Sequence, residues 1–319
     1  MTCHYLVRAA FAAVLLGMTC ATLAESPECE PSRWGPDDEI GAANHITTES
    51  VRLAAQLVRE GRTHPLGIVI DASTPAFAPR GLSLQIVQPG QVGGTKLDAF
   101  GYPGVYNDDV AHLWFGIGSQ IDGLSHLGSE GLYYNCNDER DFVELTGVTR
   151  LGVHNVPPMV ARGVVIDMAG HFGKPYLEAG EPFDAADLRA ASEAQGVEIR
   201  TGDVVLFHTG WTDAKLASEP EVWVAGEPGI TEDAATYLAG LDVMAVGADT
   251  WGLDVVPPPE GGRLFYGHVI LLRDHGIYIL ETMDTGPLVE AGVKEFMFVL
   301  GQARIRGTVQ MIINPVAMW

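Results

Sequence analysis

Basic residues are scarce in this chain: 19 lysines and arginines face 41 aspartates and glutamates over 319 residues, a formal charge of -22. A nucleic-acid binder must neutralise phosphates with clustered Lys and Arg, so that class is excluded, and an anionic surface docks poorly on anionic lipids. The charge is read as serving solubility. Past the N-terminus no apolar run approaches the roughly 20 residues that a membrane helix needs. A phosphate-loop pattern is also missing after the glycines at 116 and 118, so no nucleotide cofactor is expected. Nor does Gly210-Trp211 form the strained serine elbow of an α/β-hydrolase.

Cysteine is rare, with 4 in all. Two of them, Cys3 and Cys20, fall in an N-terminal segment with Arg8, an apolar run over 9–18, and small residues at Thr22 and Ala24. That segment is expected to be a secretory signal peptide, too short to span a bilayer and cleaved after Ala24. The mature domain then covers 25–319 and is periplasmic or secreted. Cys29 and Cys136 remain in a compartment where one disulfide is open to them but not required.

A hydrophobic content of 47% supplies an ample core for one large domain or two small ones. Thr47 or Thr48 can cap a helix running through Val58 to Gly61. Others are expected from Asp184 to Gly196 and from Thr231 to Gly240. Short β-rich runs lie between them at 66–71, 82–87, 164–168, 204–208, 243–247 and 277–280. Strands alternating irregularly with helices indicate a mixed α/β domain. Residues 265–276 fit a helical stripe capped by Gly276 better than a hairpin, although a hairpin would set His268 opposite Glu281.

The stretch Gly116-Ile117-Gly118-Ser119-Gln120-Ile121-Asp122-Gly123-Leu124-Ser125-His126 carries the chemistry. If 112–122 is extended, Gln120 and Asp122 share a face with the bare positions Gly116 and Gly118, leaving room for an ion, a water or a substrate. The plainer reading is that Asp122-Gly123 makes a turn and the histidine is incidental. The run resembles the metal-binding motif of the cyclase family, which includes bacterial kynurenine formamidases and isatin hydrolases, H-x-G-T-H-x-D-x-P-x-H. Gly118, Asp122 and His126 match, Ser119 replaces Thr, and Leu124 stands where Pro is usual. The two other histidines fall on Gly116 and Gln120. His112 cannot substitute for the first, being about 13 Å away along an extended chain.

The likeness spans most of the mature chain. Trp34-Gly35, Asp38, Gly41 and Asn44 resemble the family's W-G-x-x-D-x-x-G-x-x-N opening, and 162–167 its R-G-V-L-L-D strand. The run through Asp203 to Thr209-Gly210-Trp211 is also family-like, with His208 where Arg is common. Val246-Gly247-Ala248-Asp249 and 268–281 are similar to the second metal half, in which a His and a Glu complete the site.

The resemblance implies a swivelling β/β/α single domain, usually a homodimer or homotetramer. It also implies one divalent ion held by Gln120, Asp122, His268 and Glu281. Three oxygens and one nitrogen favour manganese over zinc, and Gln120 is either a ligand or the mark of a lost one. His126 is the candidate acid and base, and Trp34, Phe115, His208 and Trp251 are candidate substrate-pocket residues. The function expected is hydrolysis of a small cyclic amide, lactone or aryl formamide. The competing reading is a periplasmic small-molecule binding protein that lost catalysis with the two histidines.

Overall fold

Helices form where the sequence supplies caps. The computed structural model describes residues 29–88, 101–102 and 106–319, so the expected signal peptide, with Cys3 and Cys20, lies outside the described residues. Thr47 and Ser50 cap reciprocally, each hydroxyl accepting the other's backbone N–H, and the helix Thr48–Ala55 follows. It ends earlier than expected. Gln56, Leu57 and Val58 bond to carbonyls three residues back, tightening the last turn before Gly61 at φ +70°. Asp184 accepts from the N–H groups of Ala186 and Asp187 to start Ala185–Gln195, and Gly196 ends it at φ +66°. Thr231 caps Glu232–Gly240 in the same way. No helix among the described residues is long and apolar enough to cross a membrane.

These helices accompany a nine-stranded sheet in the order Thr63–Pro65, Val316–Met318, Glu295–Leu300, Met159–Asp167, Val204–His208, Ala245–Ala248, Tyr278–Glu281, Gln120–Asp122 and Gln310–Ile312. Strands Met159–Asp167 through Tyr278–Glu281 run parallel, whereas the last two pair antiparallel. Val204–His208 and Ala245–Ala248 are buried throughout, which is why they read as unbroken apolar runs instead of alternating. The architecture is the mixed α/β single domain expected from the sequence.

Two local expectations are corrected and a third is met. Residues 66–71 make only one bridge, Gly67 to Met283, because side chains take the backbone donors a ladder would use. Gly67 N–H goes to Asn314 Oδ1 and Ile68 N–H to the Ser119 hydroxyl. Residues 112–122 are not one strand. Asp108–Leu113 pairs with Leu82–Val87 in a separate hairpin, and the chain bends through Gly118 at φ +63° before Gln120–Asp122 begins. Residues 266–274 are helical, a turn at Tyr266–His268 widening into Val269–Asp274. Gly276 closes it at φ +66°, Ile277 N–H reaching back to the Leu271 carbonyl.

The opening motif locks the fold. Asp38 accepts from Gly41 N–H, Asn44 Nδ2 and the Tyr134 hydroxyl, at 3.0, 2.7 and 2.6 Å. Cys29 and Cys136 are joined in a disulfide with Cα atoms 5.7 Å apart, tying this segment to the turn beside Tyr134.

Candidate metal centre and its crevice

Register builds the site. Gln120 lies opposite Glu281 on one side and Ile312 on the other, and Asp122 opposite Ile279 and Gln310. Directly paired residues share a face, so Gln120, Asp122, Glu281 and Gln310 project together. His268 reaches them from the helical turn that follows Phe265 at φ +54°. Among the described residues, Asp122, His268 and Glu281 form the one group of potential ligands whose donor atoms all lie within 4.8 Å of one another. His268 Nε2 stands 3.3 Å from Glu281 Oε1 and 3.6 Å from Asp122 Oδ2.

The Asp122 Oδ2 atom is buried and accepts no hydrogen bond. Leaving such an oxygen unsatisfied costs about 1–3 kcal/mol or more, so a cation is the natural partner. Asp254 prepares the imidazole, its Oδ2 sitting 2.7 Å from His268 Nδ1 while its Oδ1 accepts Gly267 N–H at 2.7 Å. A carboxylate on Nδ1 turns Nε2 toward the cluster, as second-sphere carboxylates do at metal sites. Two carboxylates and one oriented imidazole fit a hard divalent ion.

Charge is unevenly held here. Burial pushes the Asp122 carboxyl up, but the imidazoles of His126 and His268 outweigh it and hold it below the usual carboxylate range. Burial, then the Asp122 charge, lift Glu281 to about 8 against the pull of His268 and Arg80. His268 is penalised by burial, yet Asp254 and the two site carboxylates raise it well above an ordinary histidine. Burial dominates at His126 and lowers it.

Gln120 presents its amide nitrogen, donating to Asp122 Oδ1 at 3.1 Å and Glu281 Oε2 at 2.6 Å. It braces both carboxylates in this arrangement instead of offering the oxygen expected of a ligand. His126 places Nε2 3.7 Å from Asp122 Oδ2, with 18% of its side chain exposed against none for the aspartate. Of the aromatic candidates, Trp251 lines the crevice beside Gln120, with Phe77 stacked on it at 5.7 Å. Trp34 lines a separate cavity of about 720 Å³ and meets His45 edge-on. His208 ends its strand with Nδ1 on the Thr285 hydroxyl, 3.4 Å from Asp249 Oδ2. Phe115 packs against the main core.

The sequence model of the family described as "Putative cyclase" matches residues 63–255. The chain belongs to the cyclase family. Among solved structures, one described as a novel cyclase is 29% identical with a TM-score of 0.78, over 90% of this chain and 98% of that one. Isatin hydrolase A from Ralstonia solanacearum shares the fold at 21% identity and a TM-score of 0.58, over 86% and 98%. So does a structure described as a potential metal-dependent hydrolase with cyclase activity, at 16% and 0.51, over 80% and 98%. No curated protein matches the sequence.

Where the cyclase pattern has its first histidine, this chain has Gly116, and the vacated space is filled. A Cβ there would meet Arg80 Nη1 and Gln310 Oε1, each at 2.7 Å. Arg80 Nη1 donates to the Gly116 carbonyl at 3.0 Å, and Gln310 Nε2 to Asp122 Oδ1 at 2.7 Å. Neither residue was anticipated from the sequence, nor was Asp254. Gln310 lies 188 positions from Asp122, and a guanidinium with no ion-pair partner among the described residues is visible only in three dimensions.

Proposed function

We propose that this cyclase-family protein is a metal-dependent hydrolase of a small cyclic amide, lactone or aryl formamide. The observation that carries the reading is the buried Asp122 Oδ2, which accepts no hydrogen bond, beside His268 Nε2 and Glu281. Neighbours described as an isatin hydrolase and a potential metal-dependent hydrolase support it at the level of fold. Asp122, His268 and Glu281 hold the ion, and Gln120, a candidate fourth ligand, braces the two carboxylates. Two oxygens to one nitrogen favour manganese over zinc. When bound, such an ion polarises a carbonyl and acidifies water.

The chain's own residues do the rest. Asp254 orients His268, and Gln120 and Gln310 fix the Asp122 carboxylate by donating to its Oδ1. His126, whose ring reaches solvent, takes a proton from the attacking water and returns it to the leaving nitrogen or oxygen. Trp251 lines the narrow crevice of about 10 Å³ beside Gln120, and substrate is taken to enter from that side. Trp34, Phe115 and His208, the other substrate-pocket candidates, lie outside that lining, so Trp251 carries the pocket role here.

We further infer that the mature domain begins at Glu25 and is periplasmic or secreted. The Cys29–Cys136 bond, which needs an oxidising compartment, supports this. Assembly as a homodimer or homotetramer is proposed from the family resemblance. The test is metal analysis of protein purified without chelator, followed by a hydrolysis screen of isatin-like imides, lactones and N-formyl aromatics. About one manganese per chain with metal-dependent turnover is expected. Protein that recovers neither ion nor turnover when divalent ions are restored would favour a binding protein.

A further inference from the structure

Among the described residues Arg80 is the one arginine that is half-buried and yet lacks an ion-pair partner; Arg59, Arg189, Arg304 and Arg306 also lack one but are exposed. Arg33, Arg52, Arg150, Arg162 and Arg263 each reach a carboxylate within ion-pair distance. Arg80 reaches none among the described residues; its one side-chain hydrogen bond is Nη1 to the Gly116 carbonyl. A guanidinium has five N–H donors in a planar fork that matches a carboxylate. Four of those at Arg80 have no partner among the described residues.

Its position gives the spare donors a use. Arg80 is half-buried and lines the crevice together with Gly116, Gln120, Phe77 and Trp251, so it faces the space next to the candidate metal ligands. It also occupies the volume that a side chain at 116 would claim. Arg80 N–H bonds to the Phe77 carbonyl at 3.1 Å, so one turn delivers both the charge and an aromatic face. The surroundings are otherwise acidic, with Asp122, Glu281, Asp254 and Glu227 all buried nearby. A divalent ion balances two of those charges and leaves an anionic substrate repelled unless a cation receives it.

Resting on the hydrolase reading, we propose that Arg80 is the specificity residue of this site and that the substrate carries a carboxylate, which pairs with the guanidinium while its amide, lactone or formamide carbonyl faces the metal ligands. A neutral substrate would leave the charge of this half-buried cation offset only by the buried carboxylates around it, Glu281 among them, and its spare donors without an acceptor.

The test uses the manganese-loaded full chain with two aryl formamides that differ by one carboxylate, 2-formamidobenzoate and formanilide. Wild type should prefer the carboxylate by roughly 10- to 100-fold in kcat/KM, the usual worth of a charged hydrogen-bonded pair, chiefly through KM. In Arg80→Met that ratio should collapse toward one with manganese content retained, and Arg80→Lys should keep part of it. Equal losses of kcat on both substrates would overturn the proposal and make Arg80 a stabiliser of the developing oxyanion. If wild type hydrolyses neither compound, the hydrolase reading is what suffers for these substrates. Calorimetry of benzoate against benzamide then decides the role of Arg80. Benzoate held by wild type and lost in both Arg80→Met and Arg80→Gln upholds it, while equal binding, or none, overturns it.

Discussion

Glu281 and Gln120 sit directly opposite each other on adjacent antiparallel strands, and the Gln120 amide donates to Glu281 Oε2 at 2.6 Å. The same nitrogen lies 3.1 Å from Asp122 Oδ1, so one neutral side chain bridges two buried carboxylates. Gln120→Leu keeps the volume and removes both donors. Manganese affinity should fall about 10- to 100-fold, the usual cost of losing a partner of the ligands, with stoichiometry unchanged at saturating ion. Equilibrium dialysis against increasing manganese reads this directly, and an unchanged affinity would show that the bridge is incidental.

Asp122 and His126 should separate cleanly. Asp122→Ala removes a ligand whose charge offsets the ion's, so both metal and turnover should be lost. His126→Ala should keep the ion and the fold while kcat falls roughly 100-fold or more, the contribution of a positioned acid or base. Loss of metal from His126→Ala would make this histidine a ligand and send the search for the base elsewhere.

The metal-free protein should respond to pH in a direction opposite to ordinary acid denaturation. Glu281 is lifted from 4.5 to about 8, so between those values the folded state holds a proton that the unfolded state has released. His268 is raised well above 6.5, so its contribution to stability is present below 6.5 and lost as pH rises through its folded value. Both act in the same sense, and the melting temperature without divalent ions should fall as pH climbs from 6 toward 9. Manganese should weaken or abolish the trend, since binding displaces those protons, and its apparent affinity should rise about tenfold per pH unit per proton released. Thermal melts across this range with and without the ion check both halves.

Much of the fold was legible because its signals are local. Thr47, Asp184 and Thr231 announce their helices through side chains that reach only two or three residues, and Gly196 ends one by tolerating φ +66°. The strand 204–208 reads itself as a continuous buried run. What stayed hidden depends on distant pairing. Segment 66–71 has strand composition, but Ser119 and Asn314 take its donors, and neither is near it in sequence. In the site, Asp122, His268 and Glu281 were visible through the family pattern. Arg80 and Gln310 fill the space left by an absent side chain at Gly116, which no one-dimensional pattern encodes.

The disulfide should matter to stability more than to the site. Cys29 and Cys136 are 107 residues apart, so the bond restrains a large loop of the unfolded chain. Cys29→Ser should cost roughly 2–4 kcal/mol, seen as a shift of the urea midpoint with little change in slope. Manganese affinity should hold, because the bond ties down the opening segment at Asp38 and Tyr134 and touches none of the candidate ligands. A variant that unfolds at the same urea concentration as wild type would show that hydrogen bonding at Asp38 suffices.

Restoring the family's first histidine should fail alone and work in combination. A side chain at 116 must displace the Arg80 guanidinium and the Gln310 amide, which a Cβ there would approach to 2.7 Å. Both are ends of flexible side chains, so Gly116→His should fold, but at a cost of about 1–3 kcal/mol from overpacking and the disturbed Gln310–Asp122 bond. Removing the obstacle with Arg80→Ala should recover much of that cost, so the two changes couple favourably instead of adding. The double variant should also bind zinc more tightly relative to manganese than wild type, since an added imidazole moves the donor set toward nitrogen. Additive melting shifts and an unchanged metal preference in the double variant would mean that position 116 does not face the ion, and that the loss of its histidine has some other origin than the arrival of Arg80.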